Sequence, residues 1–392
     1  MIARDLSNEL IFLSEQYPIV TIIGPRQSGK TTLAKSVFPM HSYQNLESPE
    51  IRSLAETDPR AFFSSFQLPV IIDEVQRVPS ILSYIQTQSD EIDKNGQFIL
   101  TGSYQPSLQE SISQSLAGRT ALATLYPLSI HELQNQEVAY SRDEYIFKGF
   151  YPRIYKEQME PHRFYRNYYQ TYIERDLRQM IQIRSLSLFD KFVRILAGRI
   201  GNILNTSSIA QDVGVSSSTI QEWISILEAS FVIYRLPPYY NNFGKRFIKS
   251  PKIYFTDIGL ACYLLGITQI HQVSRDPLIG NMFENLVVLD IRKTLMNQGL
   301  ESNLFFYRDH NNHEVDLLIK YGDLLLPVEI KSAMSYHESL HKNIPYFQKI
   351  SGIKNGLLLY AGNVEFQKEN ISVANYQHFS KVFSAFMQAN TL

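Results

Sequence analysis

Residues 19–32 read Ile-Val-Thr-Ile-Ile-Gly-Pro-Arg-Gln-Ser-Gly-Lys-Thr-Thr. An apolar, largely β-branched run stops at a glycine. A second glycine follows after four residues and leads at once into Lys-Thr and a helix-forming stretch. That order leaves the chain a strand, a tight loop and a helix. Gly24 and Gly29 permit backbone angles and a close approach that side chains would block, so the loop N–H groups can turn inward on an anion. The positive end of the helix opening at Gly29 adds to the same field. Gly24, Pro25, Arg26, Gln27, Ser28, Gly29, Lys30, Thr31 and Thr32 are therefore the candidate phosphate-binding set. Lys30 is expected to reach terminal phosphates, and the Thr31 hydroxyl to ligate Mg²⁺.

At 392 residues the chain is too long for one ordinary core, so two or three domains are expected. Hydrophobic residues at 44% and charged residues at 19% are those of a globular protein rather than a disordered one. No apolar run approaches a membrane span, and acids stand near the N-terminus where a signal peptide would be basic and then greasy, which reads as cytoplasmic. The single cysteine, Cys262, excludes an internal disulfide and a cysteine zinc site. The net charge of −1 hides an asymmetry: residues 1–127 hold nine Lys/Arg against thirteen Asp/Glu, and residues 153–255 hold fifteen against eight. The basic middle suits either a polyanion-binding surface or an ordinary solvated face.

After the loop, residues 41–46 read as a second strand. Leu68-Pro69-Val70-Ile71-Ile72-Asp73-Glu74 is an apolar run ending in two acids, and a buried parallel strand delivers such residues to the carboxyl edge of its sheet. Asp73 is expected to hold Mg²⁺, and Glu74 to polarise the attacking water. A third strand, residues 97–100, ends in Thr101-Gly102-Ser103. Thr101 either senses the terminal phosphate or caps the segment 106–115. Arg119 either supplies positive charge to phosphates, in its own subunit or a neighbour, or forms a surface salt bridge.

Gly-Pro-Arg-Gln-Ser-Gly-Lys-Thr-Thr, Ile-Ile-Asp-Glu-Val-Gln, Leu-Thr-Gly-Ser, Leu-Ala-Gly-Arg and Tyr-Pro-Leu-Ser together resemble the prokaryotic AAA-type ATPases that carry a C-terminal domain of uncharacterised function. The resemblance extends over the whole chain and implies an ATP-hydrolysing core in residues 1–127, with a catalytic glutamate beside the metal-binding aspartate.

In residues 128–265, Phe164, Tyr165, Tyr168, Tyr169 and Tyr172 recur three and four apart, a stripe expected to be core. Tyr172-Ile173-Glu174-Arg175-Asp176-Leu177 also matches a motif of that family. Residues 206–228 form a capped short helix, a glycine turn and a second capped helix with Ile220, Trp223 and Leu227 inward. With strands at 231–236 and 252–255, this resembles a winged helix. The second helix has no Lys or Arg from Ser216 to Glu228, so phosphate contact would fall to a wing carrying Lys245, Arg246 and Lys249; packing or protein contact is the other reading.

In residues 270–392, Glu284 lies on a helix, Asp316 on a hairpin-like strand, and Glu329 and Lys331 on one face of the next. Asp316, Glu329 and Lys331 resemble the D…E-x-K signature of the PD-(D/E)xK nuclease fold, with Glu284 as the first-helix acid. That resemblance implies three carboxylates holding Mg²⁺ and a lysine that positions or deprotonates a water. His313-Glu314-Val315-Asp316 departs from the usual Pro-Asp pair, and a scaffold that binds without cutting, with Lys331 merely paired to Glu329, stays open. His310 and His313 read as loop residues. The expected protein is thus α/β: an AAA-type ATPase core, a helical and winged-helix middle and a nuclease-like C-terminal domain. Expected partners are ATP, Mg²⁺, DNA or a protein, and further copies of the chain if Arg119 acts on a neighbour.

Overall fold

The computed structural model describes residues 2–103, 114–136, 138–177, 186–239 and 250–390, with the side chains of 174–177 and 390 excepted. Five strands, β1 (Ile19–Gly24), β2 (Ser42–Asn45), β3 (Val70–Asp73), β4 (Phe98–Ser103) and β5 (Thr120–Thr124), form one parallel sheet in the order β2-β3-β4-β1-β5. Every residue of β3 and β4 is buried, as expected of parallel strands covered on both faces. Because β4 lies between β1 and β3, Thr101 stands between the end of the phosphate loop's strand and the Asp73-Glu74 pair. Parallel pairing brings the tips of β1, β3 and β4 to one edge.

The middle of the chain is helical. Phe164, Tyr165, Tyr168, Tyr169 and Tyr172 are all at most 6% exposed, so the aromatic stripe is core. Helices Thr206–Val213 and Ser217–Ala229 are capped by Asn205 and Ser216 and separated by Gly214 at φ +91°. An antiparallel ribbon of β6 (Ile233–Leu236) and β7 (Lys252–Phe255) follows. Lys245, Arg246 and Lys249, and Arg178 of the helical part, lie outside the described residues.

A six-stranded sheet closes the chain: β8 (Leu304–Arg308), β9 (Glu314–Tyr321), β10 (Leu324–Lys331), β11 (Gly356–Tyr360), β12 (Phe366–Lys368) and β13 (Ile371–Asn375), in the order β12-β13-β11-β10-β9-β8. β10 runs antiparallel to β9 and parallel to β11. The helix Ile279–Asn297 packs between this sheet and the middle of the chain, and one continuous hydrophobic core extends from Leu128 to Phe383. Asn285 of that helix accepts from Phe255 N at 2.7 Å and donates to Phe255 O at 2.9 Å, extending the β7 edge with an amide side chain. No helix among the described residues is long and apolar enough to cross a membrane.

Asp257, fully enclosed, receives Phe150 N at 2.8 Å, Tyr165 Oη at 2.6 Å and Gly259 N at 3.0 Å. Gly149 sits at φ +62°, where a Cβ would fall 2.0 Å from Tyr165 Oη and 2.2 Å from Asp257 Oδ1. Gly149→Ala is therefore expected to destabilise the fold by about 3 kcal/mol through strain and a broken buried hydrogen bond, read as a lowered urea midpoint.

Candidate active sites

Asp73, at the tip of β3, is where the N-terminal site converges. Its carboxylate receives Thr31 Oγ1 at 2.9 and 3.0 Å, Tyr43 Oη at 2.8 Å, and the Thr101 hydroxyl. Burial first, and the neighbouring Asp73 second, raise the Tyr43 phenol well above its ordinary range. Glu74 follows in a left-handed conformation at φ +61°. Its N–H donates to Thr101 Oγ1 at 3.4 Å, and its carboxylate accepts from the Gln76 amide. One hydroxyl, that of Thr101, thus touches the Asp73 carboxylate and the Glu74 backbone N–H. Of the segment 106–115 that Thr101 was alternatively expected to cap, residues 106–113 lie outside the described residues.

Across the edge, the loop is built as its glycines require. Gly24 stands at φ +152°, and a Cβ there would lie 2.2 Å from Leu125 O. Lys30 heads the helix Lys30–Val37 and folds back, Nζ donating to Gly24 O at 3.1 Å and Pro25 O at 2.9 Å. Burial pulls its pKa down to about 8, against the opposing pull of Glu74 and Asp73. Arg26 lies over the Tyr172 ring, 5.4 Å from its centroid, so the loop touches the π-helical turn Tyr169–Leu177 of the middle region. The hard-oxygen pair of Thr31 and Asp73 suits Mg²⁺, which takes one or two protein oxygens and completes its shell with phosphate and water.

Residues the sequence reading passed over hold the loop from behind. Arg4 donates through Nη1 to Ser28 O at 2.8 Å, through Nη2 to Tyr126 O at 2.6 Å, and through Nε to Glu132 Oε1 at 2.9 Å. Glu132 closes a capping box with Ser129 at the start of helix Ile130–Gln134, and Ser-x-x-Glu was the legible signal for it. Tyr43 had no such signal. A cavity of about 490 Å³ opens beside Ser28, Gly29 and Thr32, walled on its far side by Ile2, Leu128 and Pro152.

Of the two readings of Arg119, the structure has the surface salt bridge. Arg119 precedes β5 beside Ile19, at the opposite end of the parallel sheet from Gly24, and its carbonyl accepts Ile19 N at 3.3 Å. Its guanidinium forms a two-point ion pair with Asp90 at 2.6 and 2.9 Å. The length of β1 separates it from the loop, so it does not reach phosphates in its own subunit.

In the C-terminal sheet, Asp316 on β9 and Glu329 on β10 lie side by side. Lys331 Nζ stands 2.6 Å from Asp316 Oδ2 and 2.5 Å from Glu329 Oε2, and Ile330 N donates to Asp316 Oδ2 at 2.8 Å. Burial, then Asp316, raises Glu329 well above the usual carboxylate range. Glu284 has its own partners: its Oε1 accepts Lys252 Nζ at 2.8 Å and Tyr254 Oη at 2.6 Å. Lys252 also pairs with Glu314 Oε1 at 2.5 Å. Burial would lower its pKa, but Glu284, Glu314 and Asp316 outweigh that and raise it.

The three carboxylates expected to hold one Mg²⁺ are thus each paired with a lysine, Asp316 and Glu329 with Lys331 and Glu284 with Lys252. Among the described residues, no three acidic, His or Cys side chains are grouped to hold a metal. Lys252 and Lys331 stand between the carboxylates of this cleft.

The expected recognition helix Ser217–Ala229 buries Ile220, Trp223, Ile224 and Leu227, and its Glu228 is paired with Arg235. The sequence leaves Gln221, Glu222 and Ser225 on its exposed side.

Residues 16–134 match the model of the AAA domain family. The parallel sheet with its glycine loop is thus similar to the P-loop core of AAA-type ATPase domains. Residues 140–271 and 279–379 match two domains of unknown function, DUF8612 and DUF4143. An uncharacterised protein of Mycobacterium tuberculosis is 28% identical over 334 residues, 84% of this chain and 73% of its own. One of Haemophilus influenzae is 22% identical over 380 residues, 87% of this chain and 89% of its own. Among solved structures, a Walker-type ATPase of Pyrococcus abyssi is similar with a TM-score of 0.46 and 17% identity, covering 67% of this chain and 96% of that one. AMPPCP-bound DnaA from Aquifex aeolicus is similar with a TM-score of 0.30 and 15% identity, covering 57% and 85%.

The buried Lys30 yields a test without mutation. Triphosphate holds its ammonium charged, whereas the free protein loses that proton above about pH 8. Nucleotide binding then takes up a proton, and affinity falls as pH rises through that value. The dissociation constant of a fluorescent ATP analogue is expected to be about tenfold weaker at pH 9 than at pH 7.

Proposed function

We propose that the protein binds ATP with Mg²⁺ at Gly24–Thr32, hydrolyses it with Asp73 and Glu74, and uses the change of nucleotide state to control its middle and C-terminal domains, which act on DNA. Lys30 would exchange its two loop carbonyls for the terminal phosphates. Thr31 and Asp73 would hold the Mg²⁺, which neutralises phosphate charge as the bond breaks. Glu74, steadied by Gln76, would orient and deprotonate the attacking water. Thr101, in reach of the Asp73 carboxylate and the Glu74 N–H, would answer to the terminal phosphate. The cavity beside Thr32 has the size for a nucleoside.

The observation that carries the coupling is a buried polar path behind the loop. Arg4 joins Ser28 O to Glu132, the Glu132 helix begins with Ile130 N donated to Asp290 Oδ1 at 2.7 Å, and Lys293 Nζ donates to Leu128 O at 2.9 Å. Asp290 and Lys293 belong to the same helix as Glu284. Movement at the loop therefore has a packed, charged route to the C-terminal cleft.

A second reading, a switch that binds DNA or a protein without cutting, is favoured by the lysines between the C-terminal carboxylates. Its DNA contact would have to come from elsewhere than the lysine-free helix Ser217–Ala229.

Glu74→Gln is expected to keep ATP binding while turnover falls by about 100-fold or more; wild-type turnover would remove Glu74 from the mechanism. Lys30→Ala is expected to abolish binding. Labelled single-stranded, duplex and branched DNA, incubated with Mg²⁺ or Mn²⁺ with and without ATP, separates the two readings. Cleavage lost in Glu329→Gln supports the DNA-acting form, and ATP turnover without cleavage supports the switch.

A further inference from the structure

We propose that Lys252, carried into the C-terminal cleft by a strand of the middle region, is the resident cation of that cleft and excludes a divalent metal from between Glu284 and Glu314. The proposal rests on the reading of this cleft as the nuclease-like one, but its test does not depend on cleavage.

The argument is one of shared space. A metal bound by two carboxylates lies roughly 2.0–2.6 Å from their oxygens. Lys252 Nζ already stands 2.8 Å from Glu284 Oε1 and 2.5 Å from Glu314 Oε1. Ammonium and metal would occupy the same point, so one must leave for the other to enter. Lys331 fills the matching position between Asp316 and Glu329 from within their own sheet. Lys252 is different because it arrives from β7.

Its backbone is held on both sides. Leu204 N donates to Pro251 O at 2.8 Å, Ile253 N to Asn202 O at 3.1 Å, and β6 pairs along the other edge. Three residues on, Phe255 is gripped by Asn285 of the helix that carries Glu284. The side chain is 3% exposed, and Tyr254 Oη donates to the same Glu284 oxygen. Glu314 has a second cation in Arg308 Nη1 at 3.3 Å. Four acids, Glu284, Glu314, Asp316 and Glu329, thus face Lys252, Lys331 and Arg308, which leaves little net negative charge to draw a metal in. With Lys252 removed, two part-buried carboxylates lose their shared counter-ion and gain a strong preference for a divalent cation.

Mn²⁺ binding to the full chain, without nucleotide and in an Asp73→Asn background, is followed by the resonance of the free ion. Lys252→Met is expected to bind one additional Mn²⁺ per chain, at least about tenfold tighter than its parent. Adding Glu284→Gln is expected to abolish that site. Equal binding with and without Lys252, or a gain that survives Glu284→Gln, overturns the proposal. If Lys252→Met does not fold, anomalous scattering from Mn²⁺-soaked crystals of the unaltered protein decides: no peak between Glu284 and Glu314 is expected, and a peak there overturns it. Absence of DNA cleavage in every variant alongside the expected Mn²⁺ counts would defeat the nuclease reading and leave the lysine assignment standing.

Discussion

Arg4 is a single buried guanidinium whose donors go to three separate segments. A planar fork suits this, because its donors diverge at fixed angles and lose little freedom on being committed. One donor fixes the back of the phosphate loop at Ser28 O, one fixes Tyr126 O where the chain leaves the parallel sheet, and one meets Glu132, which is itself held by the N–H groups of Asp5 and Ser129. Such a pair adds little by existing, but breaking it strands a buried charge. The loop's shape is thereby made conditional on the first turn of the chain and on the segment after the ATPase sheet.

The same logic recurs along the helix Ile279–Asn297. Its buried Glu284, Asn285, Asp290 and Lys293 each bind a backbone or side-chain group of another segment. Burial lifts Asp290 to a pKa of about 6, although Ile130 N and Lys293 oppose the shift. A helix apolar on every inward face would pack as well. These polar grips instead fix its register against the segment after the parallel sheet and against the cleft at once.

Much of the N-terminal site was legible because its chemistry is local. The loop glycines, Lys30 and Thr31 are neighbours in the chain, and Asp73-Glu74 ends an apolar run that can only be a buried strand. The aromatic stripe was legible for the same reason, since helical spacing alone puts those rings on one face. The sequence left Arg119 two readings because a strand's start and its end look alike in sequence, while parallel pairing puts them at opposite edges of the sheet. In the C-terminal domain the D…E-x-K spacing identified neighbours on β9 and β10, but nothing in the spacing said that a lysine of β7 would meet Glu284.

What the sequence determined by itself was therefore the local chemistry: a phosphate loop on a strand and helix, an acid pair at a strand end, a capped helix pair, and carboxylates on successive strands. What only the tertiary structure decided was which charges became partners. Arg4 with Glu132, Tyr43 with Asp73, and Lys252 with Glu284 and Glu314 join residues far apart in the chain. Periodicity places a side chain on a face of its own element. Its counter-ion is set by how the elements pack, and in a buried site that counter-ion governs what else can bind.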